Sequence, residues 1–286
     1  MAQTLNQASQ QKRADEIRQN VRKSYAEVAE SSNNGNSCGT ESSCCGVSDD
    51  AAINTLVSTR LGYSEDDLVN VPEGADMGLG CGNPRAIASI KTGETILDLG
   101  SGGGFDCFLA AAETGDSGRV IGIDMTPTMI SKARSNAVKG KYNQVEFRLG
   151  EIEHMPVAND TVDVIISNCV INLSPDKKQV FSETFRVLKP GGRLAISDVV
   201  ASTELPDEMK QDLALYSGCM AGASLIAELQ TILEDCGFEK INIAPKDKSK
   251  DFIKDWAPGR GVEEYVLSAT IEAVKPGGDC CGGSCC

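Results

Sequence analysis

The segment "ILDLGSGGGFD", residues 96–106, has the composition of a buried strand, a glycine-rich turn and the first residues of a helix. In an open sheet of parallel strands, such a turn lies at the carboxyl end of a strand, where ligands bind. Downstream of it, predicted strands and helices alternate, which is the order that builds a parallel sheet. The segment therefore predicts an α/β fold with a ligand site beside residues 98–104.

The predicted elements follow from the apolar patterns and from proline after a capping residue, as in Thr126-Pro127 and Ser174-Pro175. A mostly solvated helix is expected over residues 1–30. The predicted strands are 95–99, 119–123, 144–149, 161–167, 193–199, 238–244 and 264–273. The predicted helices are 104–113, 127–138, 175–188, 205–216 and 223–236.

The spacing of the glycines limits the kind of nucleotide. A dinucleotide fingerprint G-x-G-x-x-G beginning at Gly100 requires glycine at position 105, where this chain has Phe105. The pattern present is D-x-G-x-G-x-G, from Asp98 to Gly104. Asp98 suits a cationic group, and Asp124 at the end of the next strand is placed to accept hydrogen bonds from ribose hydroxyls.

Composition excludes several classes of partner. The net charge is −14 and no cluster of Lys and Arg offsets it, so nucleic acids and anionic membrane surfaces are poor partners. The chain has no run of about 18 apolar residues that would span a membrane. The polar, charged N-terminus has no apolar signal-peptide region. We expect a soluble cytoplasmic protein.

Cysteine and histidine usage points to thiol chemistry. The chain has 12 cysteines in 286 residues and a single histidine, His154, which argues against Ser-His-Asp and His-rich zinc chemistry. Cys169 lies at the end of the predicted fourth strand, Cys81 lies in the glycine-rich loop 71–82, and Cys219 comes fifty positions after Cys169. Spacing alone leaves two possibilities open, a convergent thiol site or three buried cysteines acting as small hydrophobes. We expect Cys107 and Cys236 to belong to the core.

The nucleotide part resembles class I S-adenosylmethionine-dependent methyltransferases, and "VLKPGGRLAISD" (187–198) resembles their turn into the fifth strand. The resemblance implies a Rossmann-like class I methyltransferase sheet, with a helical N-terminal segment and a smaller C-terminal α+β region. It places the methionine part of the cofactor at Asp98 and the glycine loop. The adenosine part falls at Asp124 and in "GEIEHMP" (150–156). The implied cofactor residues are Asp98, Gly100, Ser101, Gly102, Gly104, Asp124, Met125, Glu151 and Ile152.

The segments around the three cysteines resemble the arsenite methyltransferase family. They are "PEGADMGLGCGNP" (72–84), "ISNCVINLSPDK" (166–177) and "LYSGCMAGA" (215–223), and the resemblance runs from about Tyr63 to Pro276. It implies trivalent arsenic, presented as arsenite or its thiol complexes, bound by Cys81, Cys169 and Cys219. It also implies a redox role for an N-terminal cysteine in the Cys44-Cys45 pair, for which Cys45 is the candidate while Cys38 and Cys44 stay open as alternatives.

The chemistry of arsenic agrees with this set of residues. A thiophilic As(III) centre prefers sulfur ligands, and three of them leave its lone pair free to attack a sulfonium methyl group. The nucleophile carries no proton, so no general base is needed. Methylation raises arsenic formally to As(V), and two thiolates that leave as a disulfide return it to As(III). An external thiol reductant, thioredoxin or glutathione, then resets the protein.

The expected organisation has four parts. Residues 1–50 form a polar helix and a flexible linker with Cys38, Cys44 and Cys45. Residues 51–200 form the cofactor-binding domain, and residues 201–276 contribute to the arsenic site. Residues 277–286 form a disordered, cysteine-rich tail (CCGGSCC).

Two alternative functions remain open at this stage. One is a methyltransferase that acts on a quinone or sterol carbon, which has no reason to place cysteines at 81, 169 and 219. The other is a soft-metal-binding protein, which does not need the glycine loop or Asp124.

Overall fold

The computed structural model describes residues 2–31 and 51–277. These residues form one mixed sheet of seven strands with helices on both faces. The strands are β1 Thr95–Leu99, β2 Arg119–Asp124, β3 Val145–Leu149, β4 Val162–Asn168, β5 Leu188–Ala201, β6 Glu239–Lys246 and β7 Val266–Val274. The helices are α1 Ala2–Ser31, α2 Ala51–Arg60, α3 Glu65–Val69, α4 Arg85–Ala88, α5 Phe105–Thr114, α6 Pro127–Gly140, α7 Lys177–Val187, α8 Asp207–Gln211, α9 Leu213–Ser217, α10 Ile226–Asp235 and α11 Lys250–Ile253.

The strand order is β3-β2-β1-β4-β5-β7-β6. The first five strands are parallel, and β7 runs antiparallel between β5 and β6. Strand order reverses between β1 and β4, which is the point where open α/β sheets bind their ligands. The predicted Rossmann-like fold is confirmed, and the C-terminal strands β6 and β7 complete the same sheet.

Successive residues of the central strands pack into cores on opposite faces of the sheet. Ile96 of β1 packs with α5 and α6, for example against Phe108, whereas Leu97 packs with α7 and α10 around Phe181. Both faces are therefore buried, which explains why these strands read as nearly continuous apolar runs. No helix in the described ranges is long and apolar enough to cross a membrane.

The structure differs from the sequence-based expectation in strand β5, which begins at Leu188 and not at residue 193, and in three helices. Helix α1 buries Ile17, Val21 and Ala29, so it is docked on the domain and not mainly solvated. The helix expected at 205–216 is divided at Asp212, whose carboxylate caps the N-terminus of α9. Helix α7 begins after Asp176, because the hydroxyl of Ser174 donates to Glu153 and is not the cap.

Phe181 of α7 lies in the core on one face of the sheet and is 0% exposed. Truncation of its ring tests this packing. Phe181→Ala should lower the free energy of unfolding by about 3–5 kcal/mol, because it leaves a cavity. Val138→Ala on the surface of α6, where the side chain is 79% exposed, should change it by less than about 0.5 kcal/mol. Urea unfolding measures both values, and equal effects would contradict the assigned core.

Candidate functional site

A cavity opens at the carboxyl ends of β1, β2 and β4, where the strand order reverses. Seven of the nine residues that the sequence assigned to the cofactor line it: Asp98, Gly100, Ser101, Gly102, Asp124, Met125 and Ile152. Gly104 and Glu151 stand outside this lining. Gly104 caps the N-terminus of α5, and Glu151 is paired with arginines of α1.

The glycine loop is shaped by close neighbours. Gly100 has a left-handed backbone with φ of 70°, and a Cβ atom there would lie 2.3 Å from Cγ2 of Val170. Gly104 has φ of 95°, and its Cβ would lie within 2.8 Å of the Phe108 and Phe147 rings. Only glycine satisfies both requirements, so the loop is built by local packing and φ angle.

Asp124 ties the end of β2 to this loop. Its carboxylate accepts hydrogen bonds from the backbone N–H of Gly102 (3.0 Å) and of Thr126 (2.7 Å). Burial raises the pKa of Asp124, and these two donors act in the opposite direction. The residue therefore holds the loop in place and faces the cavity at the same time.

A second group of acids lies at the β1 side of the cavity. Burial raises the pKa of Asp98 well above its usual value, and the neighbouring Asp106 raises it further. Asp106 accepts a 2.7 Å hydrogen bond from the hydroxyl of Tyr63, and Asp98 accepts one from the Cys107 thiol at 3.2 Å. Asp98, Asp106 and Tyr63 all line the cavity, which suits a cationic group bound between the two acids.

Helix α1 forms the outer wall of the cavity through Arg18, Val21 and Tyr25. Arg18 donates twice to the buried carboxylate of Glu153, at 3.0 and 3.2 Å. Arg22 donates to Glu151 at 3.1 Å. These contacts explain the position of Glu151, which the sequence placed at the adenine.

The cysteines from three distant segments meet beside this cavity. The sulfur atoms of Cys81 and Cys169 and a carboxylate oxygen of Asp198 all lie within 4.8 Å of one another. The thiol of Cys219 donates to the carbonyl oxygen of Cys169 at 2.6 Å. All three cysteines are buried and free, and Cys169 also lines the cavity. The spacing of the three cysteines in the sequence could not show whether they lie close together, and the structure brings them together.

Burial sets the protonation of this cluster. It raises the pKa of Cys81, and it raises the pKa of Cys169 well above its usual value, with a further contribution from the Cys219 and Cys81 thiols. Burial also raises the pKa of Asp198 to about 6. Cys81 and Cys169 are therefore neutral thiols at pH 7 before any ligand binds.

Two of the three cysteines have a strained backbone. Cys169 has φ of 59° and Cys219 has φ of 63°, in the left-handed region that non-glycine residues seldom adopt. Such strain is often retained at functional sites. The other described cysteines lack this feature: Cys107 is buried in the core as expected, and Cys236 is only half-buried near the end of α10.

Comparison with known proteins shows the family to which the chain belongs. A family model described as a methyltransferase domain matches residues 90–237. The arsenite methyltransferase of Halobacterium salinarum is 53% identical over 272 residues, which are 93% of this chain and 68% of that protein. The mouse arsenite methyltransferase is 35% identical over 79% of this chain and 58% of its own length. The chain belongs to the arsenite methyltransferase family.

A solved structure supports the same assignment for this arsenite methyltransferase family member. The arsenic(III) S-adenosylmethionine methyltransferase of Chlamydomonas reinhardtii aligns with a TM-score of 0.56 at 30% identity. The alignment covers 77% of this chain and 73% of the algal chain. Cys45 and the tail cysteines lie outside the described residues, so the redox role of Cys45 remains a prediction.

The cavity suits S-adenosylmethionine, the cofactor of the family. The hydroxyl of Ser101 is buried and has no hydrogen-bond partner among the described residues. Asp98 and Asp106 can offset the charge of the α-ammonium group, and Asp124 can accept from ribose hydroxyls. The residues present therefore match a ligand with one cationic end and one hydroxylated end.

Several polar residues at this site were not indicated by the sequence. Tyr63, Asp106, Asn168 and Asp198 lie at the cavity or at the cysteines, and each was unassigned. Asn168 had the clearest sequence indication, because it is a polar residue at the end of a buried strand. Tyr63 and Asp106 are 43 positions apart, and no local pattern links them.

Loss of the Asp124 carboxylate tests the cofactor site. Asp124→Ala should weaken S-adenosylmethionine binding by about 1.5–3 kcal/mol, the contribution of a hydrogen bond to a charged group. Asp116→Ala, at an exposed turn, is the matched control and should bind normally. Calorimetric titration measures both, and an unchanged affinity in folded Asp124→Ala would exclude the assignment.

Proposed function

We propose that this chain methylates trivalent arsenic with S-adenosylmethionine and that Cys81, Cys169 and Cys219 bind the arsenic. The observation that carries the proposal is a cluster of three buried thiols from separate segments beside the cofactor cavity. The sulfurs of Cys81 and Cys169 lie within 4.8 Å of each other, the Cys219 thiol contacts the carbonyl oxygen of Cys169, and Cys169 lines the cavity. A carbon methyltransferase has no use for this cluster. A metal-sequestering protein has no use for the cavity beside it.

Neutral thiols make arsenite binding a condensation that needs no base. Each As–O bond of As(OH)₃ is replaced by an As–S bond, and the thiol proton leaves with the hydroxyl group as water. Three thiols thus release three waters with no net change of charge. The raised pKa values of Cys81 and Cys169 favour this route, because the burial that disfavours thiolates does not oppose it.

The chain contributes to methyl transfer mainly by position. When bound, S-adenosylmethionine supplies an electrophilic methyl group to the arsenic lone pair. Cys169 brings the arsenic to the cavity wall, while the buried surroundings of all three cysteines exclude water. Holding the reacting groups in place lowers the entropic part of the barrier. The single histidine, His154, is exposed and takes no part.

The redox cycle extends the proposal to residues outside the described ranges. After methylation two thiolates leave arsenic as a disulfide, which reduces As(V) to As(III) and oxidises the two cysteines. We assign Cys45, or its neighbours Cys44 and Cys38, to this exchange. An external thiol reductant such as thioredoxin or glutathione then restores the thiols.

Serine substitution tests the three-thiol site. Cys169→Ser and Cys219→Ser should abolish methylation of arsenite and of methylarsenite, because a hydroxyl is a hard, protonated ligand. S-adenosylmethionine should still bind. Cys236→Ser changes a half-buried cysteine that is not part of the three-thiol cluster. It is the control and should remain active. Formation of S-adenosylhomocysteine is the measurement, and near-normal turnover by Cys219→Ser would exclude its role.

Simultaneous replacement of Cys44 and Cys45 by serine tests the redox assignment. The variant should lose more activity with arsenite than with methylarsenite. A substrate that already carries one methyl group forms only two As–S bonds and depends less on an additional thiol. Initial rates with both substrates decide the matter, and equal losses would indicate a role unrelated to arsenic capture.

A further inference from the structure

Two asparagines near Cys169 in sequence, one residue before it and three residues after it, contact the backbones of the other two cysteines through their side chains. The side-chain oxygen Oδ1 of Asn168 accepts the backbone N–H of Cys81 at 3.0 Å. The side-chain nitrogen Nδ2 of Asn172 donates to the carbonyl oxygen of Cys219 at 3.3 Å. We infer that Asn168 and Asn172 are positioning residues that set Cys81 and Cys219 around Cys169, an inference that rests on the proposed function.

The orientation of the Asn168 amide follows from its other partners. Its Nδ2 donates to the carbonyl oxygen of Gly82 at 2.8 Å and to the hydroxyl oxygen of Tyr63 at 3.0 Å. Because a carbonyl only accepts, the amide nitrogen must face Gly82, and Oδ1 is left to receive the N–H of Cys81. A Cβ atom on Gly80 would lie 2.7 Å from Nδ2, so the loop passes close against this side chain.

Cys81 is held from two further directions. Its carbonyl oxygen accepts from the hydroxyl of Ser268 on β7 at 2.8 Å, and its thiol donates to the carbonyl oxygen of Ser197 on β5 at 3.5 Å. Asn168 supplies the third contact, from the end of β4. Removal of Asn168 should therefore release the N-terminal side of Cys81 and leave its attachment to β7 intact.

Asn172 is fixed by a buried acid. Its Nδ2 donates to Asp198 Oδ1 at 2.9 Å, and the same carboxylate accepts the backbone N–H of Ile171 and Val199. The same nitrogen donates to the carbonyl oxygen of Val199 at 2.5 Å, so its two hydrogens are shared among three acceptors, of which the carbonyl oxygen of Cys219 at 3.3 Å is the most distant. The shared contact still ties the left-handed Cys219, whose thiol reaches the carbonyl oxygen of Cys169, to the anchored amide.

A pyramidal As(III) site explains the need for two such residues. Three sulfurs must lie around one atom, yet Cys81 and Cys219 are on loops far from Cys169 in sequence. Hydrogen bonds to the backbones of ligating residues fix where each side chain starts, so that rotation of the side chain completes the site. Loss of such supporting contacts typically weakens metal binding about 10- to 100-fold.

The sulfur coordination of bound arsenite distinguishes positioning from general stability. Arsenic K-edge X-ray absorption of the full chain loaded with arsenite should show three sulfur ligands in the wild type. Asn168→Ala and Asn172→Ala should each show two sulfurs and one oxygen, and each should bind arsenite about 10- to 100-fold more weakly. Fewer than three sulfurs in the wild type would instead overturn the proposed thiol site itself.

Crossed double variants provide the matched controls. Adding Asn168→Ala to Cys81→Ser should cause no further loss of arsenite affinity, whereas adding it to Cys219→Ser should cause the full loss. The pattern should reverse for Asn172→Ala. Equal losses in both backgrounds, or three sulfurs in both asparagine variants, would overturn the inference. If Asn172→Ala does not fold, Asn168→Ala decides, together with Gly80→Ala, which displaces the Asn168 side chain.

Discussion

The parallel pairing of β1 with β4 is the interaction on which both halves of the site depend. Leu99 pairs with Ser167, so the loops that follow β1 and β4 begin side by side. The resulting crowding is visible at Gly100, where Val170 leaves no room for a side chain. The same proximity brings Cys169 to the wall of the cofactor cavity. The glycine loop and the proposed arsenic ligand Cys169 are thus adjacent because two strands are adjacent.

Burial shapes the chemistry as strongly as position does. The site collects carboxyl groups and thiols, whose charged forms are disfavoured away from water. Burial raises the pKa of Asp98, Asp106 and Asp198 alike. A raised pKa makes a carboxylate a better acceptor for a transferred proton. Methylation of a lone pair on arsenic needs no such transfer, and a cationic cofactor gains from neighbouring acids. The environment and the reaction therefore agree without a dedicated catalytic base.

Much of this architecture could be predicted from the sequence, and the limits have physical causes. The seven strands, the glycine loop and the position of Cys169 follow from local patterns, because strand periodicity and turn chemistry depend on near neighbours. The sequence motifs around Cys81 and Cys219 indicated the family, whereas the spacing of the cysteines could not show that they lie close together in the fold. The docking of α1 was missed because Ile17 and Val21 form too sparse an apolar stripe. Hydrogen-bonded groups such as Asn172 and Asp198 depend on tertiary contacts.

The left-handed backbone at Cys169 and Cys219 has a consequence for the history of the site. A non-glycine residue in that conformation costs about 1–2 kcal/mol, so glycine would suit the fold better at both positions. Selection for stability alone would remove these two cysteines. Cysteine at these two positions therefore costs stability that the fold itself does not require. In a protein of this fold that does not use these thiols, glycine at either position should raise the free energy of unfolding.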